Sequence, residues 1–362
     1  MIVNRIKSFS TDIIKTFAMK KTMLTITLSA FLLSGTILLA QSQKITYKIT
    51  RTFSLPGDGG WDYLTVDASA GRLFVSHGTM VQVVDLKSGQ LAGTIPNTFG
   101  VHGVALAPDL NKGFISDGRD SSVTIVNLKT LATLATIRVT GNNPDAILYD
   151  PFTKRVFVFN GRSADATVID AKNDSVMATI PLDGKPEFAV TDGNGSIYVN
   201  IEDKSQIARI NAKTLNVEEW WPLAPGEEPT GLALDNTSHR LFSACANTVL
   251  VVADAFDGHV VTTLPIGEGC DGVKYDPMTK RIFCSNGAGT LTVIQQKNGD
   301  SYSVIGNFPT QEGARTLAVD TLTHRVYLSV ADVMPPSEPS EANVHVRRLI
   351  KPGTFKVVEM GD

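Results

Sequence analysis

Only three cysteines occur in 362 residues, and Cys245, Cys270 and Cys284 fit no zinc-ligand spacing. In an oxidising compartment one pair can bridge, and Cys245 with Cys270, expected at the same end of one repeat unit, is the pair to test against three buried free thiols. Aromatic residues are scarce at 7%, charged residues reach a modest 19%, and the net charge is −3 with no basic run. A nucleic-acid partner is therefore not expected, since general binding needs clustered Lys and Arg to displace counterions. Phosphate-loop, H-E-x-x-H and G-x-S-x-G motifs are all absent. Gly267–Gly272 matches G-x-G-x-x-G, but it falls between repeat units with no helix after it, which argues against a dinucleotide site. Asp192–Ser196 resembles the start of a calcium loop yet lacks Gly at the sixth place and Glu at the twelfth, so a hairpin turn explains it better.

What the chain does have is a repeat. The stretch Asp271–Ile294 holds three short β patterns closed by turn residues, and a fourth follows at Ser301–Ile305. An Asp ending the first strand of each unit falls at 67, 150, 192, 235, 276 and 320, with Ala107 in the second unit, so successive gaps are 40, 43, 42, 43, 41 and 44 residues. A period in the low forties with four strands per unit predicts a β-propeller. Phe74, Phe157, Tyr198, Phe242, Phe283 and Tyr327 recur at one second-strand position and are expected to fill the space between blades. The Trp220-Trp221 pair belongs to an outer strand. The seventh unit departs from the pattern after Arg325–Ser329 into a Pro-rich, charged insertion, Ala331–Gly353, and Thr354–Met360 then resumes an apolar strand. That unit lacks an outer strand, while Lys44–Leu55 is a strand without a unit. Joining them predicts a ring of seven four-stranded antiparallel blades with no open edge. The insertion is expected on one mouth of the ring, as a lid or a surface loop.

Ahead of the repeats, Met19-Lys20-Lys21 followed by the uncharged run Met23–Ala40 reads as an export signal cleaved after Ala40. An uncleaved anchor is the alternative, and residues 1–18 look like an overcalled start. Domains are therefore expected at 19–40 (signal) and 41–362 (propeller), with the folded part periplasmic or secreted, monomeric, and free of membrane beyond the signal.

The segments Leu73–His77 and Ile197–Ile201, with the turns Asp85–Gly89 and Asn127–Leu131, resemble the YVTN repeat of YncE-like seven-bladed propellers across about residues 44 to 362. The resemblance implies an exported propeller, in a family mostly described as binding proteins. Related propellers include lactonases, a lyase and non-catalytic dehydrogenase subunits. The motif fixes strands rather than a reaction, so no catalytic residue carries over.

In a propeller the first strand of each blade starts, and the second ends, on the same face of the ring. In register, the first positions are Asp62, His102, Asp145, Glu187, Thr230, Asp271 and Arg315; the second are His77, Asp117, Asn160, Ile201, Cys245, Asn286 and Val330. Packing positions would carry similar residues, whereas these differ in chemistry from blade to blade. The expected ligand-binding set is therefore Asp62, His77, His102, Asp117, Asp145, Asn160, Glu187, Asp271, Asn286 and Arg315, crowding one axial mouth and suited to a small polar ligand or a protein partner. Asp62, His77 and His102 form the expected set for a divalent metal, no other cofactor being indicated. For catalysis, His102, Asp145 or Glu187 would serve as general base and Arg315 would steady an anion. Against both stand solvated turn residues and an ion pair of Arg315 with Asp271 or Asp62.

Overall fold

The computed structural model describes residues 45–334 and 349–362. The expected export signal, the residues before it, and residues 335–348 of the insertion lie outside the described residues. Seven four-stranded antiparallel sheets follow one another around a ring, the first six running outward in chain order from an innermost first strand. Blade 1 is Trp61–Asp67, Arg72–His77, Met80–Asp85 and Leu91–Pro96; blade 6 is Cys270–Asp276, Arg281–Asn286, Thr290–Asn298 and Ser301–Pro309. First strands of successive blades touch all the way round, and that of blade 7, Leu317–Asp320, touches that of blade 1.

Blade 7 is completed from the other end of the chain. Lys48–Ser54 lies antiparallel to Lys356–Gly361, with Lys48 opposite Gly361 and Ser54 opposite Lys356. The expected outer strand is thus found, trimmed to seven residues. The second strand, Arg325–Val330, pairs on the other side of Lys356–Gly361, so the blade has no gap.

The repeated Asp is a turn device. Asp150 accepts hydrogen bonds from the backbone N–H and hydroxyl of Thr153, and Asp276 and Asp320 accept from the hydroxyls of Thr279 and Thr323 and the backbone N–H groups of Met278 and Leu322. A short side chain that satisfies the turn's own donors sets the first hairpin of the blade. At the other end of the second hairpin, Asp85, Asn127, Asp170 and Asn211 bond the N–H groups of the third-to-fourth turn. In blades 1, 2, 3 and 5 a cation opening the second strand then clips the blade to the next. Arg72 donates to the Leu128 carbonyl, Lys112 to Ala171, Arg155 to Ala212 and Arg240 to Gly299. Arg51, on the closing strand, does the same to Leu86 of blade 1.

Between the sheets lie the predicted rings: Phe74, Phe157, Phe242 and Phe283 are fully buried and Tyr198 and Tyr327 nearly so. Phe114 fills the equivalent place in blade 2. Full burial of one such side chain contributes roughly 1.5–3 kcal/mol. Trp221 is buried on the outer strand of blade 4, stacked on Tyr198 at 5.8 Å, with Trp220 exposed beside it. All three cysteines are buried free thiols, so the disulfide alternative does not describe this structure.

Replacing Phe283 by Ala should cost about 3–5 kcal/mol, the usual range for emptying a buried aromatic site. Met278→Ala, at an exposed hairpin tip, should stay within roughly 0.5 kcal/mol. Urea denaturation midpoints of the two variants check the difference.

Candidate functional site

At one end of the first strand in blades 1 to 6 the ladder to the second strand takes in one extra residue. The shifts fall between Trp61 and Leu64, Val101 and Val104, Pro144 and Ile147, Pro186 and Ala189, Pro229 and Leu232, and Cys270 and Gly272. A bulge frees the inserted residue from the pleat and re-aims its side chain. Each bulge begins at one of the first-position residues. Polar groups of the second strand hold the loosened backbone. Ser76 accepts from the Asp62 N–H, Ser116 accepts from the Gly103 N–H and donates to the Asp145 carbonyl, and Asn200 donates to the Thr230 carbonyl of the next blade. Thr316 closes the circle by donating to the Asp62 carbonyl at 2.7 Å.

Of the first-position residues, Asp62, His102 and Asp145 are brought together, and Arg315 links Asp62 to Asp271. His102 Nδ1 lies 2.6 Å from Asp62 Oδ2 and 3.6 Å from Asp145 Oδ1. Arg315 Nε is 3.1 Å from Asp271 Oδ2, and its Nη2 is 3.6 Å from Asp62 Oδ1, so the ion-pair alternative for Arg315 holds with both acids. Glu187 pairs at 2.8 Å with Lys185, which also meets Glu202. Thr230 donates to the Cys270 carbonyl.

Crowded acids in a partly dry space resist ionisation. Burial raises the Asp145 pKa, with His102 opposing and the Asp62 charge adding to it. Burial and then the Asp145 charge raise Glu187, and burial raises Asp271 against the pull of Arg315. For His102 burial works downward, but the Asp62 hydrogen bond and the Asp145 and Asp62 charges outweigh it, and the pKa is raised.

The second positions do not join this cluster. His77, Asp117, Asn160 and Asn286 are buried, and each bonds to the third strand of its own blade or the turn leading into it: His77 to Gln82, Asp117 to Thr124, Asn160 to Asp165 and Thr167, Asn286 to Thr290 and Thr292. The register explains it. His77, Asp117, Asn160 and Asn286 sit opposite Trp61, Val101, Pro144 and Cys270, the residues immediately before the mouth positions. Directly opposed residues share a face, and neighbours in a strand take opposite faces. His77 is in addition covered by Phe355, its ring stacked 4.0 Å away, and burial lowers its pKa. The expected metal set is corrected accordingly: the third group beside Asp62 and His102 is Asp145, not His77.

Lys185 and Glu202 were not anticipated, because they lie one step outside the repeat positions, in the loops framing Glu187. Below the acids, Tyr63 and Phe188 meet edge to face at 5.3 Å across the axis. The same register place in the other blades holds Gly103, Ala146, Gly231, Gly272 and Thr316, small enough to leave room for two rings. The described stem of the insertion stands at this rim: Val333 bridges Ile350, and the Gly353 N–H donates to Asp58.

These features define a seven-bladed β-propeller with a polar axial mouth. No protein-family model matches the chain, and no curated protein matches it. Solved structures do share its fold. RRP9 WD40 repeats are similar at TM-score 0.71 and 9% identity, over 88% of this chain and 99% of that one. Kuenenia stuttgartiensis hydrazine synthase gives 0.66 and 15%, over 76% and 94%. A chain of the mitotic checkpoint complex gives 0.69 and 12%, over 80% and 90%. At such identities the likeness is one of fold. Among the described residues no helix is long and apolar enough to cross a membrane.

Asp117 supplies a pH test of the corrected placement. Burial pushes its pKa up to about 7 from a usual value near 3.8, so the folded state holds the proton more tightly. Its stabilising share is complete below the unfolded pKa and is lost as pH rises toward 7. Asp117→Asn should therefore flatten the decline in stability between about pH 4 and 7, measured as urea midpoints across that range; an unchanged slope would place Asp117 in solvent.

Proposed function

We propose that this protein is an exported, YVTN-type propeller that binds a small cationic ligand at its axial mouth, and specifically a divalent metal ion between Asp62, His102 and Asp145. One observation carries this. These residues each offer one ligand atom, and the three atoms lie within 4.8 Å of one another. Asp145 Oδ1 is moreover buried with no hydrogen-bond partner, a costly arrangement that a cation would relieve. A cation there replaces the proton that His102 Nδ1 now shares with Asp62. One imidazole and two carboxylates suit a first-row ion such as zinc or manganese. Asp271 and Glu187 nearby are matched by Arg315 and Lys185, which leaves Asp62 and Asp145 as the acids that face His102.

The hydrolase or lyase alternative uses the same place. Asp62 orients His102 as it would a general base, but no serine or cysteine nucleophile joins them among the described residues; the Tyr63 phenol that bonds Asp145 has its pKa raised by burial, and the Thr230 hydroxyl is committed to a carbonyl. Hydrolysis would then rest on water activated by the bound ion. A protein gripping the rim is the other competing reading, in keeping with propellers such as the one in the mitotic checkpoint complex.

Titrating zinc or manganese into chelator-treated protein by calorimetry should show one saturable site. His102→Ala and Asp145→Asn should each weaken it by at least about tenfold, while His77→Gln leaves it unchanged. Because the ion displaces a proton from His102, whose pKa is raised, affinity should climb as pH increases through and beyond 6.5. Equal affinity in the Asp145→Asn variant would refute the site.

A further inference from the structure

Lys274 stands in the first strand of blade 6 at a register place where the other blades carry Thr65, Ala105, Leu148, Val190, Ala233 and Ala318. It faces a cavity of about 210 Å³ on the ring axis, lined among others by Leu64, Val66, Ile147, Phe188 and Val319. The lining continues from Tyr63 along its strand to Val66, away from the acids of the mouth. Its polar members are few. The Thr65 hydroxyl already donates to the Val104 carbonyl at 2.8 Å, and among the described residues Lys274 is the one charged side chain in the lining and offers its ammonium to the cavity.

That ammonium has no counter-charge among the described residues. Among the described residues its recorded partner is the Phe188 ring, whose centroid lies 3.9 Å from Nζ. A ring face attracts a cation but leaves its charge in place. Burial alone acts on the amine, lowering its pKa to about 8, and no carboxylate contributes. An unpaired charge facing an otherwise apolar space is a strong demand for an anion. Bulk water occupies about 30 Å³ per molecule, so the cavity has room for an acid of a few carbons.

We infer that this axial cavity binds a small monocarboxylate with a short apolar body, its carboxylate on the Lys274 ammonium and its hydrocarbon part against Leu64, Ile147 and Phe188. The site is separate from the cation site at the mouth and of opposite preference, and the Tyr63–Phe188 pair lies between the two. A ligand at either site therefore leaves the other free.

Propionate is the probe, with propylammonium of the same length and opposite charge as control. Calorimetry on the full chain should show one saturable propionate site and none for propylammonium. Lys274→Met and Lys274→Gln should each weaken propionate by at least about tenfold, the ratio equivalent to 1.4 kcal/mol. Met278→Ala, at an exposed hairpin tip, should leave propionate unaffected. On the unmodified protein, nuclear Overhauser contacts from the propionate methyl to Phe188 ring protons give a check that needs no variant. Absence of propionate binding, equal affinity in the Lys274 variants, or equal binding of propylammonium would each overturn the assignment.

Discussion

Everything in this molecule depends on one strand pair, Lys48–Ser54 against Lys356–Gly361. Without it the last sheet ends in open backbone donors and acceptors, an edge that invites pairing with other chains. With it, seven sheets share their faces, and no sheet has to be stable alone. The bond from Thr316 to the Asp62 carbonyl and the reach of Arg51 to Leu86 cross the same seam. Closure also brings Arg315, near the end of the chain, onto Asp62, near its beginning.

A ring of repeats would by itself present seven similar side chains at its mouth. Bulges at the head of the first strand in blades 1 to 6 turn that symmetry into a site, because they release one residue in each of those blades from the pleat and let it differ. The result is two regions of opposite character on one axis. Asp62, Asp145, Glu187 and Asp271 accumulate negative charge at the mouth, held in check by His102, Arg315 and Lys185. Beneath the Tyr63–Phe188 pair, Lys274 is a single positive charge among aliphatic groups. Both environments penalise the ionised forms, and each would be eased by a ligand of the opposite sign.

Much of this was legible in the order of residues. The Asp at the end of each first strand has a turn to cap, so its spacing exposed the blade count, and the orphan strands at the two ends exposed the closure. The chemical variety at Asp62, His102 and Asp145 marked positions freed from packing. Variety at the ends of the second strands meant something else: His77, Asp117, Asn160 and Asn286 differ because each matches a different partner on its own third strand or the turn before it. Strand periodicity could have separated the two sets, since opposed residues share a face, but only once the register was known. Lys185 and Glu202 carry no repeat signature. Lys274 is a charge in a column of small and aliphatic residues, but that column emerges only with the register, and its meaning required the cavity it faces.

The proposed cation site joins the bulged first strands of blades 1 to 3. Diffraction from crystals soaked in manganese, recorded where that metal scatters anomalously, tests it most directly. The expected result is a single strong peak bounded by Asp62, His102 and Asp145, with His77 still packed beneath Phe355. A peak at other residues, or none at a saturating metal concentration, would contradict it.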